Sequence, residues 1–141
     1  MKLAEALGAA IPETLPRIEG QRLELLWHEG YWDGPMSGLM RLDGDARVWF
    51  TLAEENEAPA EGRWYRRFWL VRLSAEQLDA VERGHALFRE HIGGHTDYDE
   101  LGDRDLRLQR AVPDWEAFRA ATASIPELDP RPCEVFGWLE W

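Results

Sequence analysis

The run from Ser74 to Ile92 constrains the fold more than any other part of the 141-residue chain. Leu78, Val81, His85, Phe88 and Ile92 recur at spacings of three and four, which aligns them on one face of an α-helix. The ends of that helix are also written in the sequence. Ser74 is an N-cap, Gln77 completes a capping box, and Leu73 is placed to staple onto Leu78. Gly93-Gly94 stops the helix, and Asp79 and Arg83 form an i,i+4 pair along it. Such a helix draws its stability from covering its apolar stripe, so the rest of the chain has to supply a surface.

That surface reads as an antiparallel sheet. Leu23, Leu25 and Trp27 alternate with Arg22, Glu24 and His28, the pattern of a strand. A hairpin follows around Asp43-Gly44. A two-residue loop there would pair Met40 with Arg47 and mix apolar with charged residues on both faces. A three-residue loop, Leu42-Asp43-Gly44 with Arg41 opposite Asp45, gathers Met36, Met40, Ala46, Val48, Phe50 and Leu52 on one face. Residues 53–62 are polar and acidic and read as a mobile loop. Trp64 to Leu73 then forms the longest strand, with Tyr65, Trp69, Val71 and Leu73 on one face and Trp64, Phe68 and Leu70 on the other. Apolar residues on both faces predict a central strand.

The remaining elements are shorter. Leu3, Leu7, Ala10 and Ile11 share the face of a short docking helix. After a polar stretch from His95 to Asp105, Leu106 and Leu108 alternate in a short strand. A helix near Asp114 to Ala123 has Pro113 at its entry and Trp115, Phe118, Thr122 and Ile125 in line. Val135 to Trp141 supplies a last strand. No βαβ rhythm demands a parallel sheet. The expected fold is therefore α+β: one domain over residues 1–141, with an antiparallel sheet of four to six strands. The 74–92 helix packs on one face, and the shorter helices lie at the edges.

The formal charge of −11 argues against nucleic acid and anionic membrane as partners and favours a basic protein. A bilayer span needs roughly 20 apolar residues, and no run approaches that. Glu5, Gly8 and Pro12 interrupt the apolar start before it reads as a signal peptide, so a cytoplasmic location is expected. The single cysteine, Cys133, excludes an intramolecular disulfide and a Cys-based zinc site. Eight Trp, five Phe and three Tyr exceed what a core of this size needs, which predicts aromatic surface in a cleft or at a binding face.

Motifs for chemistry are weak throughout. His85, His91, His95, Asp97 and Asp99, with His28 as a distant partner, are the residue types that ligate zinc. Gly93-Gly94 breaks the helix between His91 and His95, and His85 sits on the apolar seam, where a mostly buried, hydrogen-bonded, architectural histidine is expected. No metal or cofactor is therefore assigned. Asp97 to Gly102 resembles the first half of a calcium loop, but Leu101 and Leu108 occupy ligand positions. Ser37 between Gly34 and Gly38 does not follow the order of a nucleophile elbow, and Gly30, Gly34 and Gly38 match no phosphate loop. Arg63, Arg66, Arg67 and Arg72, interleaved with Trp64, Tyr65, Phe68 and Trp69, have the mixture that stacks single-stranded bases. In a chain this acidic they are expected to pair with its own carboxylates.

Two functional readings follow. The first is a non-catalytic protein-binding domain, an acidic antagonist or immunity-type protein acting on a basic partner. The second is a small enzyme or ligand-binding domain, with a pocket between the sheet and loops carrying Tyr31, Trp32, Asp33, His91, His95 and Asp97.

Overall fold

The computed structural model describes residues 1–31, 35–58, 62–93 and 113–141. The fold is α+β. Five antiparallel strands lie side by side in sequence order: β1 (Leu23–Tyr31), β2 (Pro35–Leu42), β3 (Ala46–Ala58), β4 (Arg63–Val71) and β5 (Val135–Glu140). A short helix α1 (Leu3–Ala6) and a 3₁₀ turn (Gly20–Arg22) precede the sheet. Helices α2 (Ala75–His91) and α3 (Trp115–Thr122) lie in sequence between β4 and β5.

Strand alternation splits the core into two clusters. Met40, Val48, Phe50, Phe68, Leu70 and Leu139 gather on one face with Ile18. Trp27, Leu39, Trp49, Trp69 and Val71 gather on the other. Among the described residues the first, inner cluster contains no helical one, and Phe50 and Leu70 are 0% exposed. The segment before the sheet, which places Ile18 in this cluster, contributes to its cover. Arg17 bridges Trp138 of β5 in the parallel sense, the Ile18 N–H donates to the Trp138 carbonyl (2.8 Å), and the Trp138 N–H donates to the Pro16 carbonyl (3.1 Å). The same segment runs through the 3₁₀ turn into β1, the opposite edge. One strap thus joins both edges of the meander.

The outer cluster is the one that meets helices. Leu3 and Ala6 of α1 are buried in it, and Leu78 and Val81 of α2 pack against it together with Leu73. The α2 cap is as the sequence predicts: Ser74 Oγ accepts from the Gln77 N–H (3.1 Å), and Gln77 Oε1 accepts from the Ser74 N–H (2.9 Å). Gly93, at φ 89°, ends the helix by donating its N–H to the Phe88 carbonyl (3.1 Å).

Four local expectations are corrected. A bulge between Leu25 and Trp27 reverses the alternation of β1, so Leu23 and Leu25 face the inner cluster while Leu26 and Trp27 face the outer one. At the hairpin, Asp43 and Gly44 both take positive φ (51° and 80°), and Asp45 donates its N–H to the Leu42 carbonyl (3.2 Å). Leu42 therefore pairs with Ala46, one residue beyond the expected register, and Arg41 faces Arg47. A tertiary contact fixes this turn, because the Arg22 side chain donates twice to the Asp43 carboxylate (2.8 and 2.6 Å).

Residues 53–58 belong to β3 and not to a loop, and this makes β3 the longest strand. Their glutamates stand opposite the β4 arginines: Glu54 faces Arg67 and Glu55 faces Arg66. Cross-strand charge pairing favours extension over looping there. In the N-terminal helix, Ala6 is buried and Leu7 is 47% exposed, because the helix ends at Leu7 before the expected face can form. The expected Leu106–Leu108 strand, the Asp97–Gly102 run and the stretch from His95 to Asp105 lie outside the described residues. No helix among the described residues is long and apolar enough to cross a membrane.

Candidate functional site

The register of the sheet lays a polar row across the outer face. Glu29 of β1 pairs with Ser37 of β2, and Ser37 pairs with Thr51 of β3. The next row, Trp27, Leu39, Trp49 and Val71, is wholly apolar. The β1 bulge is what brings Glu29 to this side, since strict alternation from Leu23 would have turned it inward. Above the polar row lies a cavity of about 550 Å³, floored by Glu29, Ser37, Trp49 and Thr51.

Two helices wall it. Ala80, Val81, Gly84, His85 and Phe88 line it from α2, as their spacing on one helical face requires. Trp115, Phe118 and Thr122 line it from α3, and Glu127 and Leu128 from the link that follows. Asp114 anchors α3 at its start: its Oδ1 accepts from the Ala117 N–H (2.9 Å) and its own N–H donates to the His91 carbonyl (3.1 Å). Phe88, Trp115 and Phe118 form a trio of tilted rings with centroids 5.8–6.3 Å apart and interplanar angles of 58–82°. Gln77 Nε2 ties α2 to the link through the Asp129 carbonyl (3.0 Å).

Three polar features stand out against these apolar walls. Burial pushes the Glu29 carboxyl above its ordinary range, although the residue keeps more than a third of its surface in solvent. The backbone carbonyl of Glu29 accepts from Ser37 Oγ (3.2 Å). His85 stacks face to face on Trp27, with centroids 4.5 Å apart and planes 10° from parallel. His85 is half-buried, so the expected architectural histidine is also part of the cavity wall. His28 is 0% exposed and lines the same cavity.

Of the residues anticipated as a binding site, only His91 has a described side chain. His91 is the last residue of α2, half-buried, and is not among the described lining residues. Tyr31 ends β1. Its side chain, together with Trp32, Asp33, His95 and Asp97, lies outside what is described. Among the described residues no three metal-ligating side chains converge. Two of the β4 arginines are engaged within the fold: Arg66, 4% exposed, donates twice to Glu55 Oε1 (3.0 and 2.7 Å), and Arg67 bridges Glu54 and Glu140. Glu29, Thr51 and Gly84 belong to no motif. The one signal in the sequence was the alignment of Trp115, Phe118, Thr122 and Ile125, all of which line the cavity.

Comparison with protein-family models, with curated proteins and with solved structures gave no match.

Proposed function

We propose that the protein is a non-catalytic ligand-binding domain whose site is the cavity between the outer sheet face, α2 and α3. One observation carries the reading. A volume of about 550 Å³ lies within the roughly 300–1,000 Å³ of small-molecule sites, which are apolar-walled with a few convergent polar groups. Gly84 supports it further. A Cβ built there meets nothing within 4 Å, so the α2 wall of the cavity is left open at that point.

The test is a thermal-shift screen of small molecules on the wild-type chain and on Gly84→Phe, whose ring fills the cavity. A true ligand stabilises by about 2.7 kcal/mol at a hundredfold excess over its Kd. It should raise the wild-type Tm and leave Gly84→Phe unmoved. Equal shifts in both proteins, or none in either, would refute the reading.

A protein partner of basic character is the second reading. The net charge of −11 supports it, and so do two tryptophans that keep 45% (Trp64) and 50% (Trp141) of their surface in solvent. An affinity pull-down from the native cell with wild type and Trp64→Ser tests it. Recovery of no partner, of acidic partners only, or of the same partner by both proteins counts against this surface.

A further inference from the structure

We infer that the cavity takes an organic cation, a free small molecule with an ammonium group on an apolar body. This deepens the proposed function and rests on the cavity being the binding site. Charge is the first argument. The described lining includes two carboxylates, Glu29 on the floor and Glu127 on the link, and no lysine or arginine. Fifteen of the chain's cations are arginines, and those of the central strand that face carboxylates, Arg66 and Arg67, are held by Glu54, Glu55 and Glu140 away from this site.

The rings are the second argument. Trp49, Phe88, Trp115 and Phe118 reach the cavity from the sheet and both helices. Aromatic faces attract a cation through the ring quadrupole, and more strongly where water is thinned out. An anionic ligand would meet those same faces and two carboxylates, both repulsive. A neutral apolar ligand would leave the Glu29–Ser37–Thr51 row without use.

Glu29 is the third. Its carboxyl is set partly in apolar surroundings that raise its proton affinity, with the imidazoles of His28 and His85 elsewhere in the described lining. A carboxylate that pays desolvation in the empty protein gains most from a counter-charge arriving with the ligand. His85 is stacked on Trp27, which fixes its ring as wall.

Three probes of similar size separate the cases: benzyltrimethylammonium, benzyl alcohol and benzoate. Titrations followed by tryptophan fluorescence and by calorimetry should show the cation binding about tenfold or more tightly than either comparator. Glu29→Gln should cut the affinity for benzyltrimethylammonium about tenfold and leave that for benzyl alcohol unchanged. Circular dichroism confirms that the variant folds. Benzyl alcohol or benzoate binding as tightly as the cation, or Glu29→Gln leaving the cation's affinity intact, overturns the inference. If no probe binds but another compound is excluded by Gly84→Phe, the cation inference falls and the cavity remains the site. If nothing binds and nothing is excluded, both fall together.

Discussion

Gly38 stands in β2 between His28 of β1 and Phe50 of β3, and the strands close on it from both sides. A Cβ added there would lie 2.3 Å from the Trp27 carbonyl oxygen, 2.6 Å from His28 Cα and 2.9 Å from Phe50 Cε1. Non-bonded carbon atoms settle at about 3.5–4.0 Å, so Gly38→Ala demands a displacement on the order of 1 Å. Two of the three obstacles are backbone and cannot rotate away, and the third is a ring with no exposure. Overpacking costs about 1–3 kcal/mol where side chains can yield. Here little can yield, and we place the loss near the top of that range, at about 3 kcal/mol. At roughly 4 °C per kcal/mol for a chain of this length, Tm should fall by about 12 °C. Urea titration gives the cleanest assay, because a lowered midpoint with an unchanged m-value isolates stability from any change in compactness. A midpoint equivalent to less than about 0.5 kcal/mol of change would mean that β1 and β2 do not approach as described.

Gly84→Ala should have the opposite sign, stabilising by about 0.5–1 kcal/mol, because the site is helical and open; the same urea titration reads it. Glu55→Ala removes the carboxylate that accepts twice from the buried Arg66 guanidinium, and a cost of about 2 kcal/mol is expected, below the 3–5 of a fully buried pair because Glu55 is one-third exposed. Glu29→Gln should raise Tm at pH 7 and change it little at pH 4. A carboxyl with a raised folded pKa contributes stability below its ordinary value of 4.5 and loses it as pH rises through the folded value. His28, His85 and Glu127 also line the cavity and are the same in both proteins, so the difference between variant and wild type is the quantity to follow. A larger gain at pH 4 than at pH 7 would contradict the burial of that carboxyl.

Helix α2 was legible because all its determinants are local: a cap, a period and a glycine stop within one run of residues. The interior position of β4, between β3 and β5, was legible for a similar reason, since apolar residues on both faces leave few alternatives. What escaped depends on residues far apart in sequence. The β1 bulge cannot be seen in Leu23-Glu24-Leu25-Leu26-Trp27, where strict alternation fits equally well, yet it decides which side Glu29 faces. The length of β3 escaped because four polar residues in a row look like a loop until the arginines opposite them are known. The register at Asp43 depended on Arg22, twenty-one residues away. The cavity was half visible, through the aligned residues of α3. Its floor comes from three strands whose polar side chains have no common pattern in sequence.

The strap from Pro16 to Ile18 has a consequence for the order of assembly. Strands β1 to β4 are sequential hairpins, and short loops close early and at low entropic cost. The strap, however, has its partner in β5, and α1 docks beside it, with the Leu3 N–H on the Cys133 carbonyl. The residues of α1 and the strap thus wait for residues made more than a hundred positions later. Until β5 emerges, β4 presents an unpaired edge and the inner cluster stands open along one side. The interval between translation of β4 and of β5 is therefore the period of greatest exposure to misassociation, and it is spent synthesising the two helices that wall the cavity.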